Sequence, residues 1–401
     1  MANERKLKVL VSGAGAAGQC AGYWLARHGF DTTVVEQAPA PRIGGFATDL
    51  RGVAVTVAER MGIADACRDV RVRLREIVRL NEHGKPVWKT DGNFGAGTGD
   101  IEILRDDLTF ILHQARESVE GLTYVFDDSI TWIDQDDDGV DVTFKNHPPS
   151  RYDLVIGADG LHSNVRSLVF GPESTFAKPA GFYVGIYTIP NLLNMERQWF
   201  VSSLPGKFVS VMQYGLDKHT RGMFIFTSPP ITFDKRDQEA QKAIIHDAMK
   251  DDTEYWAVQT LLDALPGATD LYFDEVTQIH MPSWSRGRVS LVGDAACAPT
   301  LLTGQGTSVA VVGAYVLAGE LKAAGGDPHI AFPRYEAAMR HYAEVNQAIL
   351  NSTPEFTLQA TWEDIRQSTA EVLEIFESGN DDATGGALLA RAANAIDLQL
   401  Y

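Results

Sequence analysis

The first part of the chain alternates short apolar runs with segments whose apolar residues recur at helical spacing. LKVLVS at residues 7–12 and TTVVE at 32–36 predict buried strands, because their apolar residues are branched and consecutive. AAGQCAGYWLARHG at 16–29 predicts a helix between them that ends near Gly29. Strand, helix and strand in this order form a βαβ unit, which favours a parallel sheet covered by helices.

The pattern changes further along the chain. Three runs rich in aromatic and β-branched residues, GFYVGIYTI, FVSVMQYG and GMFIFTS, predict an inserted sheet within residues 181–228. Buried strands that end in glycine-containing turns precede and follow this sheet, at 151–160 and 287–296. The residues from 332 onward predict mostly helix. We therefore predict an α/β protein whose first domain is interrupted by a β-sheet domain.

Composition narrows the range of partners. The formal net charge of −18 over 401 residues argues against a nucleic-acid partner, and the three cysteines have neither disulfide nor zinc-site spacing. The histidines show no metal-binding spacing either. No apolar run reaches the roughly 18–20 residues that span a bilayer, and the N-terminus passes from charged residues into a strand without a signal-peptide core. We expect a cytoplasmic monomer or weak dimer without a metal site and without a membrane partner.

The turn after the first strand carries a dinucleotide fingerprint, GAGAAG. Gly13 allows a tight turn, Gly15 lets backbone amides approach a pyrophosphate, and Gly18 permits close packing of helix and strand. Glu36 ends the second strand, where its carboxylate can accept hydrogen bonds from a ribose 2′-hydroxyl but would repel the 2′-phosphate of NADP. The predicted cofactor contacts here are Gly13, Gly15, Ala16, Ala17, Gly18, Glu36 and Gln37. The fingerprint alone does not separate NAD from FAD.

Two later stretches carry an aspartate beside glycine. They are DLVIGADGLHSNVR at 153–166 and GDAACAPTLLTGQGTS at 293–308. Together with the fingerprint they make the chain resemble the class A flavoprotein monooxygenases, the family of para-hydroxybenzoate hydroxylase and the tetracycline-inactivating flavin monooxygenases. The resemblance covers nearly the whole chain, including a long C-terminal helix.

The resemblance implies how the matching residues contact FAD. Asp159 and Gly160 would lie near the pyrophosphate and a transient nicotinamide cofactor, and Asp294 would bind the ribityl chain. Taken alone, Asp294 can also be a simple helix or turn cap. Arg105 would reach the ribityl–phosphate region, and Arg51 would face the flavin. Backbone amides and a helix N-terminus would lie beside the isoalloxazine at Gly304, Gln305, Gly306 and Thr307.

The fold that we predict is a discontinuous Rossmann-like FAD-binding domain with an inserted β-sheet substrate domain and a long C-terminal helix. The FAD-binding domain takes residues 1–75, 97–172 and 280–330, and the substrate domain takes 76–96 and 173–279. A C-terminal helical segment takes residues 331–401.

The chain departs from the family pattern within residues 293–308. Cys297 stands where the family often has histidine, and Thr300 and Leu301 stand where proline is usual, with Pro299 slightly early. Cys297 can be a small buried hydrophobic residue or a reactive thiol, and the sequence leaves both open.

The strands of the insert offer candidate substrate contacts. Alternate residues of a strand share a face, and this parity groups aromatic residues and methionine in a way that suits a flat apolar ligand. The predicted contacts are Tyr187, Met212, Tyr214, Phe224 and Phe226. An ordinary sheet core is the alternative for the same residues.

These features together predict a function. We predict an FAD-dependent monooxygenase in which NADPH or NADH docks transiently and one oxygen atom from O₂ enters an aromatic or polycyclic, tetracycline-like molecule. A single fingerprint fits a nicotinamide cofactor that has no domain of its own, and no side chain is assigned as catalytic. Alternatives are an FAD-dependent dehydrogenase or oxidase without oxygen insertion, and a non-enzymatic prenyl carrier of the same fold.

Overall fold

The computed structural model describes residues 5–41, 46–91, 100–214, 220–351, 358–378 and 385–401. Its strands are β1 (Lys8–Ser12), β2 (Asp31–Val35), β3 (Ala47–Leu50), β4 (Glu76–Leu80), β5 (Pro86–Asp91), β6 (Ile101–Leu104), β7 (Leu122–Val125), β8 (Ile130–Gln135), β9 (Val140–Phe144), β10 (Ser150–Tyr152), β11 (Leu154–Gly157), β12 (Ala177–Ile189), β13 (Gln198–Leu204), β14 (Lys207–Gln213), β15 (Thr220–Thr227), β16 (Tyr272–Ile279), β17 (Ser285–Arg286) and β18 (Val289–Leu291). Its helices are α1 (Ala16–Arg27), α2 (Val53–Met61), α3 (Ala64–Asp69), α4 (Arg105–Ala115), α5 (Asn164–Val169), α6 (Gln238–Met249), α7 (Val258–Ala264), α8 (Asp294–Cys297), α9 (Gly306–Ala323), α10 (Pro328–Ala348), α11 (Trp362–Ser378) and α12 (Gly385–Ala393).

The first domain is built on a six-stranded sheet in the order β17-β18-β11-β1-β2-β7. The pairs β18–β11, β11–β1, β1–β2 and β2–β7 are parallel, and β1, α1 and β2 form the predicted βαβ unit. Apolar side chains of α1, α5, α9 and the three-stranded sheet β10-β9-β8 join these strands in one core. Because parallel sheets are covered on both faces, the central strands β1 and β11 consist mainly of consecutive apolar residues.

Two helices follow the sheet and complete the core. Helix α9 is apolar on all sides and buried along most of its length, since it packs against α1, α2 and α10. Helix α10, 21 residues long, is the long C-terminal helix that the sequence predicts. No helix among the described residues is long and apolar enough to cross a membrane.

The inserted domain is a seven-stranded sheet in the order β16-β12-β15-β14-β13-β4-β5. Strands β4 and β5 therefore share a sheet with strands from residues 177–279, although about a hundred residues separate them along the chain. The predicted boundary between residues 96 and 97 lies outside the described residues, and the boundaries as a set stay a prediction. The α/β architecture with an inserted sheet and a long C-terminal helix is confirmed.

The two faces of the seven-stranded sheet differ in what covers them. The first face packs against α6 and α7, which fill it with apolar contacts. The second face carries Val184, Ile186 and Ile225, and it packs against Leu301 and Leu302 of the first domain. The second face is therefore the one directed toward the Gly293–Ser308 stretch.

This arrangement corrects three of the predicted substrate contacts. Tyr187, Phe224 and Phe226 lie on the first face with at most 2% of their surface exposed, and the Tyr187 hydroxyl donates to Leu261 O at 2.9 Å. They form the core beneath α6 and α7, which was the alternative interpretation. Met212 alternates with the buried Val211 and so lies on the second face, and Tyr214 follows it at the end of β14.

The two faces should respond differently to loss of a phenylalanine ring. Phe224→Ala leaves a cavity in the fully buried first face, so we expect a loss of about 3–5 kcal/mol in the free energy of unfolding. Phe208 lies half-buried on the second face, so Phe208→Ala is the matched control, and its loss should be clearly smaller. Urea denaturation of the two apoproteins measures the difference. Equal losses would contradict the assignment of the faces.

Candidate active site

Three neighbouring parallel strands bring the predicted cofactor residues to one edge of the sheet. Ser12 of β1 lies opposite Gly157 of β11, which in turn lies opposite Leu291 of β18. The residues that follow these positions, Gly13, Asp159 and Asp294, therefore meet at the carboxyl edge. Ligands of open α/β sheets bind at this edge.

The glycines of the fingerprint have different roles. Gly13 has a φ of +101°, and a Cβ there would lie 2.6 Å from Ala158 O. A Cβ on Gly18 would lie 1.8 Å from Gly13 O, so helix and turn can approach only with glycine. A Cβ on Gly15 would meet nothing within 4 Å, and no side chain caps α1 at this residue. The start of α1 therefore offers backbone amides to an anion.

Glu36 is buried and anchors the fingerprint turn. Its Oε2 accepts a hydrogen bond from Ala14 N at 2.8 Å, and its Oε1 accepts one from Ala38 N at 2.9 Å. A carboxylate has further lone pairs, so these bonds leave capacity for a ribose hydroxyl. Gln37 beside it is exposed.

Asp159 uses its carboxylate within its own loop. The Ser163 hydroxyl donates to Oδ1 and Val165 N donates to Oδ2 at 2.9 Å, which fixes the start of α5. Burial raises the pKa of this carboxyl, and the hydrogen bonds from Ser163 and Val165 oppose the rise. The Asp159 main chain lies against the fingerprint turn, because a Cβ on Gly13 would be 2.9 Å from Asp159 Cα. Asp159 therefore contributes its backbone, and not its carboxylate, to the carboxyl edge of the sheet.

Asp294 lies near Arg105 and Arg166 and beside the glycine-containing elbow at residues 304–307. Burial raises the pKa of its carboxyl, and the positive charges of Arg166 and Arg105 limit the rise. A Cβ on Gly306 would lie 3.6 Å from Asp294 Oδ1, so the starts of α8 and α9 meet. The structure therefore brings Asp294, Arg105 and the glycine elbow together, as the resemblance implies.

The elbow itself, residues 304–307, presents both donors and an acceptor. Gly304 takes a left-handed conformation with a φ of +63°, and no side chain caps α9. Gln305 is fully buried, and its Nε2 donates to Leu389 O at 3.2 Å. Its Oε1 has no hydrogen-bond partner within the described ranges. The Thr307 hydroxyl shares a hydrogen bond with Thr48.

Arg51 is held by carboxylates beside the elbow. Its guanidinium lies 3.2 Å from Asp49 and 3.9 Å from Asp100, and its backbone N donates to Ser308 Oγ at 3.0 Å. The sequence indicated Arg51 but neither acid. Asp49 lies on β3 and Asp100 directly precedes β6, so the two acids are far from each other in sequence.

Two tyrosines of the inserted sheet also lie close to these residues. The Tyr214 hydroxyl accepts a hydrogen bond from Ala47 N at 3.1 Å, which ties the inserted sheet to β3. Tyr272, which we did not single out from the sequence, has a buried hydroxyl whose pKa is raised by burial and by the charges of Asp274 and Asp294. The parity of β16 could have indicated Tyr272, because Phe273 points to the helix-covered first face.

Cys297 is enclosed by protein. It is 4% exposed, and its Sγ lies 3.7 Å from Gly293 O. Burial and the nearby Asp294 charge raise the pKa of the thiol, which disfavours the reactive thiolate. The structure favours the interpretation of Cys297 as a packing residue. No group of histidine, cysteine and acidic residues suited to a metal ion occurs within the described residues.

Comparison with known proteins defines the class. The family model described as FAD binding domain matches residues 6–327. A flavin-dependent monooxygenase of Legionella longbeachae is 38% identical over 345 residues, covering 86% of this chain and 87% of that protein. The chain therefore belongs to the FAD-binding family and is an FAD-dependent monooxygenase, an enzyme and not a prenyl carrier.

Two further proteins are similar to this chain over most of its length. The uncharacterized protein Rv1260 of Mycobacterium tuberculosis is 43% identical over 350 residues, covering 86% of this chain and 92% of that protein. The crystal structure of tetracycline destructase Tet(55) matches with a TM-score of 0.84 and 34% identity, covering 99% of each chain. The resemblance to class A flavoprotein monooxygenases is confirmed.

The residues at the carboxyl edge fit FAD. The uncapped starts of α1 and α9 suit negatively charged groups, and the carboxylates of Glu36 and Asp294 suit hydroxyl groups. The open space beside Gly15 and the unpartnered Oε1 of Gln305 are what a ligand at this edge requires. Individual contacts to FAD stay a prediction.

Substitution of two fingerprint glycines separates folding from cofactor binding. Gly15→Val places its side chain in open space, so we expect a folded protein that does not retain FAD. Gly18→Ala is the contrasting variant, because its Cβ collides with Gly13 O and should destabilise the domain. Flavin absorbance and thermal unfolding measure the two effects. A folded Gly15→Val protein with a full complement of FAD would contradict the assignment.

Proposed function

We propose that this monooxygenase inserts one oxygen atom from O₂ into an aromatic or polycyclic small molecule, with NADPH or NADH as the electron donor. The observation that carries the proposal is the apolar second face of the seven-stranded sheet, which lies opposite the elbow. Phe208, Met223 and Tyr272 belong to this face, and Leu301 and Leu302 meet it from the first domain. A flat apolar ligand suits such a wall.

The residues at the edge have separable tasks in this proposal. Bound FAD supplies the redox chemistry, accepting electrons from the nicotinamide and activating O₂. Asp294 accepts hydrogen bonds from ribityl hydroxyls, and the free amides at the start of α9 favour negative charge beside them. The apolar side chains of the second face exclude water from the reacting centre.

Relatives support the substrate class and the donor class to different degrees. Tet(55) and Tet(51) are described as tetracycline destructases, and at 34% and 33% identity they favour a polycyclic substrate for this chain. The proposal of a nicotinamide donor rests on the sequence. Its single dinucleotide fingerprint offers no separate domain for a nicotinamide cofactor. The cytoplasmic location and the monomeric or weakly dimeric state belong to the same proposal.

A screen of polycyclic phenols tests the reaction. The FAD-loaded protein is mixed with NADPH or NADH and each phenol, while nicotinamide oxidation, O₂ uptake and product mass are followed. We expect one phenol class to accelerate nicotinamide oxidation and to gain one oxygen atom. Recovery of all consumed O₂ as hydrogen peroxide, with no change in the mass of any stimulating compound, would contradict oxygen insertion.

The role of Asp294 can be measured separately from turnover. Asp294→Ala leaves ribityl hydroxyls without an acceptor, which should cost roughly 1–3 kcal/mol, or about ten- to a hundredfold in FAD affinity. Titration of the apoprotein with FAD checks this. If Asp294 is only a turn cap, thermal unfolding should instead show a loss of about 0.5–2 kcal/mol with FAD affinity unchanged. Cys297→Ser is the control, and it should change neither FAD affinity nor nicotinamide oxidation appreciably.

A further inference from the structure

A group of carboxylates surrounds Arg51 next to the elbow. Strands β3 and β6 are antiparallel, and Asp49 lies directly opposite Glu102. Asp100 precedes β6 and lies 3.9 Å from the Arg51 guanidinium. The side chains of Asp49, Arg51 and Asp100 are only 17%, 12% and 9% exposed. This cluster therefore has little access to water that could screen its charges.

The charges in the cluster do not balance. Asp49, Asp100 and Glu102 carry three carboxylates, whereas Arg51 supplies one positive charge within 4 Å of two of them. Like charges directly opposite in an antiparallel pair repel each other. Asp49 and Glu102 lie opposite each other with limited access to water, which favours retention of a proton by one of the two.

The geometry decides which carboxylate keeps the proton. Asp49 lies 3.2 Å from Arg51, and a Cβ on Gly304 would be 3.1 Å from Asp49 Oδ2, close to the start of α9. Burial and the Asp100 charge raise the pKa of Asp49 as well, whereas the Arg51 guanidinium lowers it and favours the charged form of Asp49. Burial and the Asp49 charge raise the pKa of Glu102 to about 8, although Arg51 opposes this. Because Arg51 contacts Asp49 and acts on it more strongly than on Glu102, the proton of the pair resides on Glu102.

Tyr214 and Arg221 of the inserted sheet also lie near this cluster. Burial raises the pKa of Tyr214, which directly follows β14, and keeps its hydroxyl neutral. Arg221 of β15 lies near Tyr214 and opposes the shift of the tyrosine. The pair with Asp49 is thus the strongest charge interaction that Glu102 has.

The cluster is joined to the elbow by hydrogen bonds. Ser308 Oγ donates to Asp49 O and accepts from Arg51 N, both at 3.0 Å. A separate observation indicates that the elbow binds a ligand. Gln305 is fully buried, and its Oε1 has no hydrogen-bond partner in the described part of the chain. A change of charge on the cluster therefore acts directly on this site.

We propose that Glu102 is a positioning residue that holds a proton beside Asp49, so that the elbow faces one excess negative charge and not two. The inference rests on the proposed contacts of FAD with the elbow. Ionisation of Glu102 would add a second negative charge next to the start of α9, where an anionic cofactor must bind. It would also compete with Asp49 for Arg51.

The affinity of the apoprotein for FAD at different pH values tests this role. For the unsubstituted protein we expect the affinity to fall as pH rises above about 8, by at most tenfold per pH unit for one proton. Glu102→Gln stays neutral at every pH, so its affinity should not show this fall. Glu120→Gln removes an exposed acid and is the matched control, which should follow the unsubstituted protein.

A second readout does not depend on FAD. Between about pH 4.5 and about 8, folded Glu102 keeps a proton that it loses on unfolding, so its contribution to stability is present at low pH and is lost as pH rises. The difference in unfolding free energy between the unsubstituted apoprotein and Glu102→Gln should therefore change across this window and be constant above it. If Glu102→Gln does not fold, infrared spectra of the unsubstituted protein with labelled glutamate should show a carboxylic acid band that disappears near pH 8.

The outcomes are distinct. An identical fall of FAD affinity above pH 8 in the unsubstituted protein and in Glu102→Gln, or the absence of the carboxylic acid band, would overturn this inference alone. Failure of the unsubstituted protein to bind FAD at any pH would overturn the proposed function.

Discussion

The parallel pairing of β1, β11 and β18 is the constraint on which the site depends. Their register brings three loops to one edge, although the loops lie far apart in sequence. The loops can meet only because the backbone approaches closely at the first of them. Gly18 lies so near the Gly13 carbonyl that any side chain would collide with it. The same pairing sets Asp294 at the end of β18, beside Arg105 and the start of α9.

The inserted sheet completes the site because its two faces have different partners. Helices α6 and α7 saturate the first face with apolar contacts, so it contributes stability. The second face receives only part of its cover from Leu301 and Leu302, and it retains Tyr272 near Asp294. A hydrogen bond from Ala47 N to the Tyr214 hydroxyl connects this sheet with β3, and thus with the acidic cluster around Arg51. The second face of the inserted sheet and the carboxyl edge of the parallel sheet are therefore connected through β3.

The sequence predicted those features that follow from local pattern. Strand, glycine turn, helix and strand are contiguous, so the first βαβ unit and the proximity of Gly13 and Glu36 could be inferred directly. Parity correctly separated Phe224 from its neighbours on β15, but it cannot say which face of a sheet will be covered by helices. Because α6 and α7 were not assigned, three core side chains were predicted as substrate contacts. Glu102 escaped notice for another reason, since its pairing with Asp49 is a contact between distant strands.

The most direct test is a crystal structure of the protein with FAD and a polycyclic phenol bound. The proposed function predicts that the adenosine diphosphate lies along residues 13–18 and Glu36, and that the ribityl chain lies at Asp294. The flavin ring should lie between the elbow and the second face of the seven-stranded sheet. The phenol should contact that second face near Tyr272 and Met212. A flavin ring bound away from Gln305, or a phenol lodged beneath α6 and α7, would contradict it.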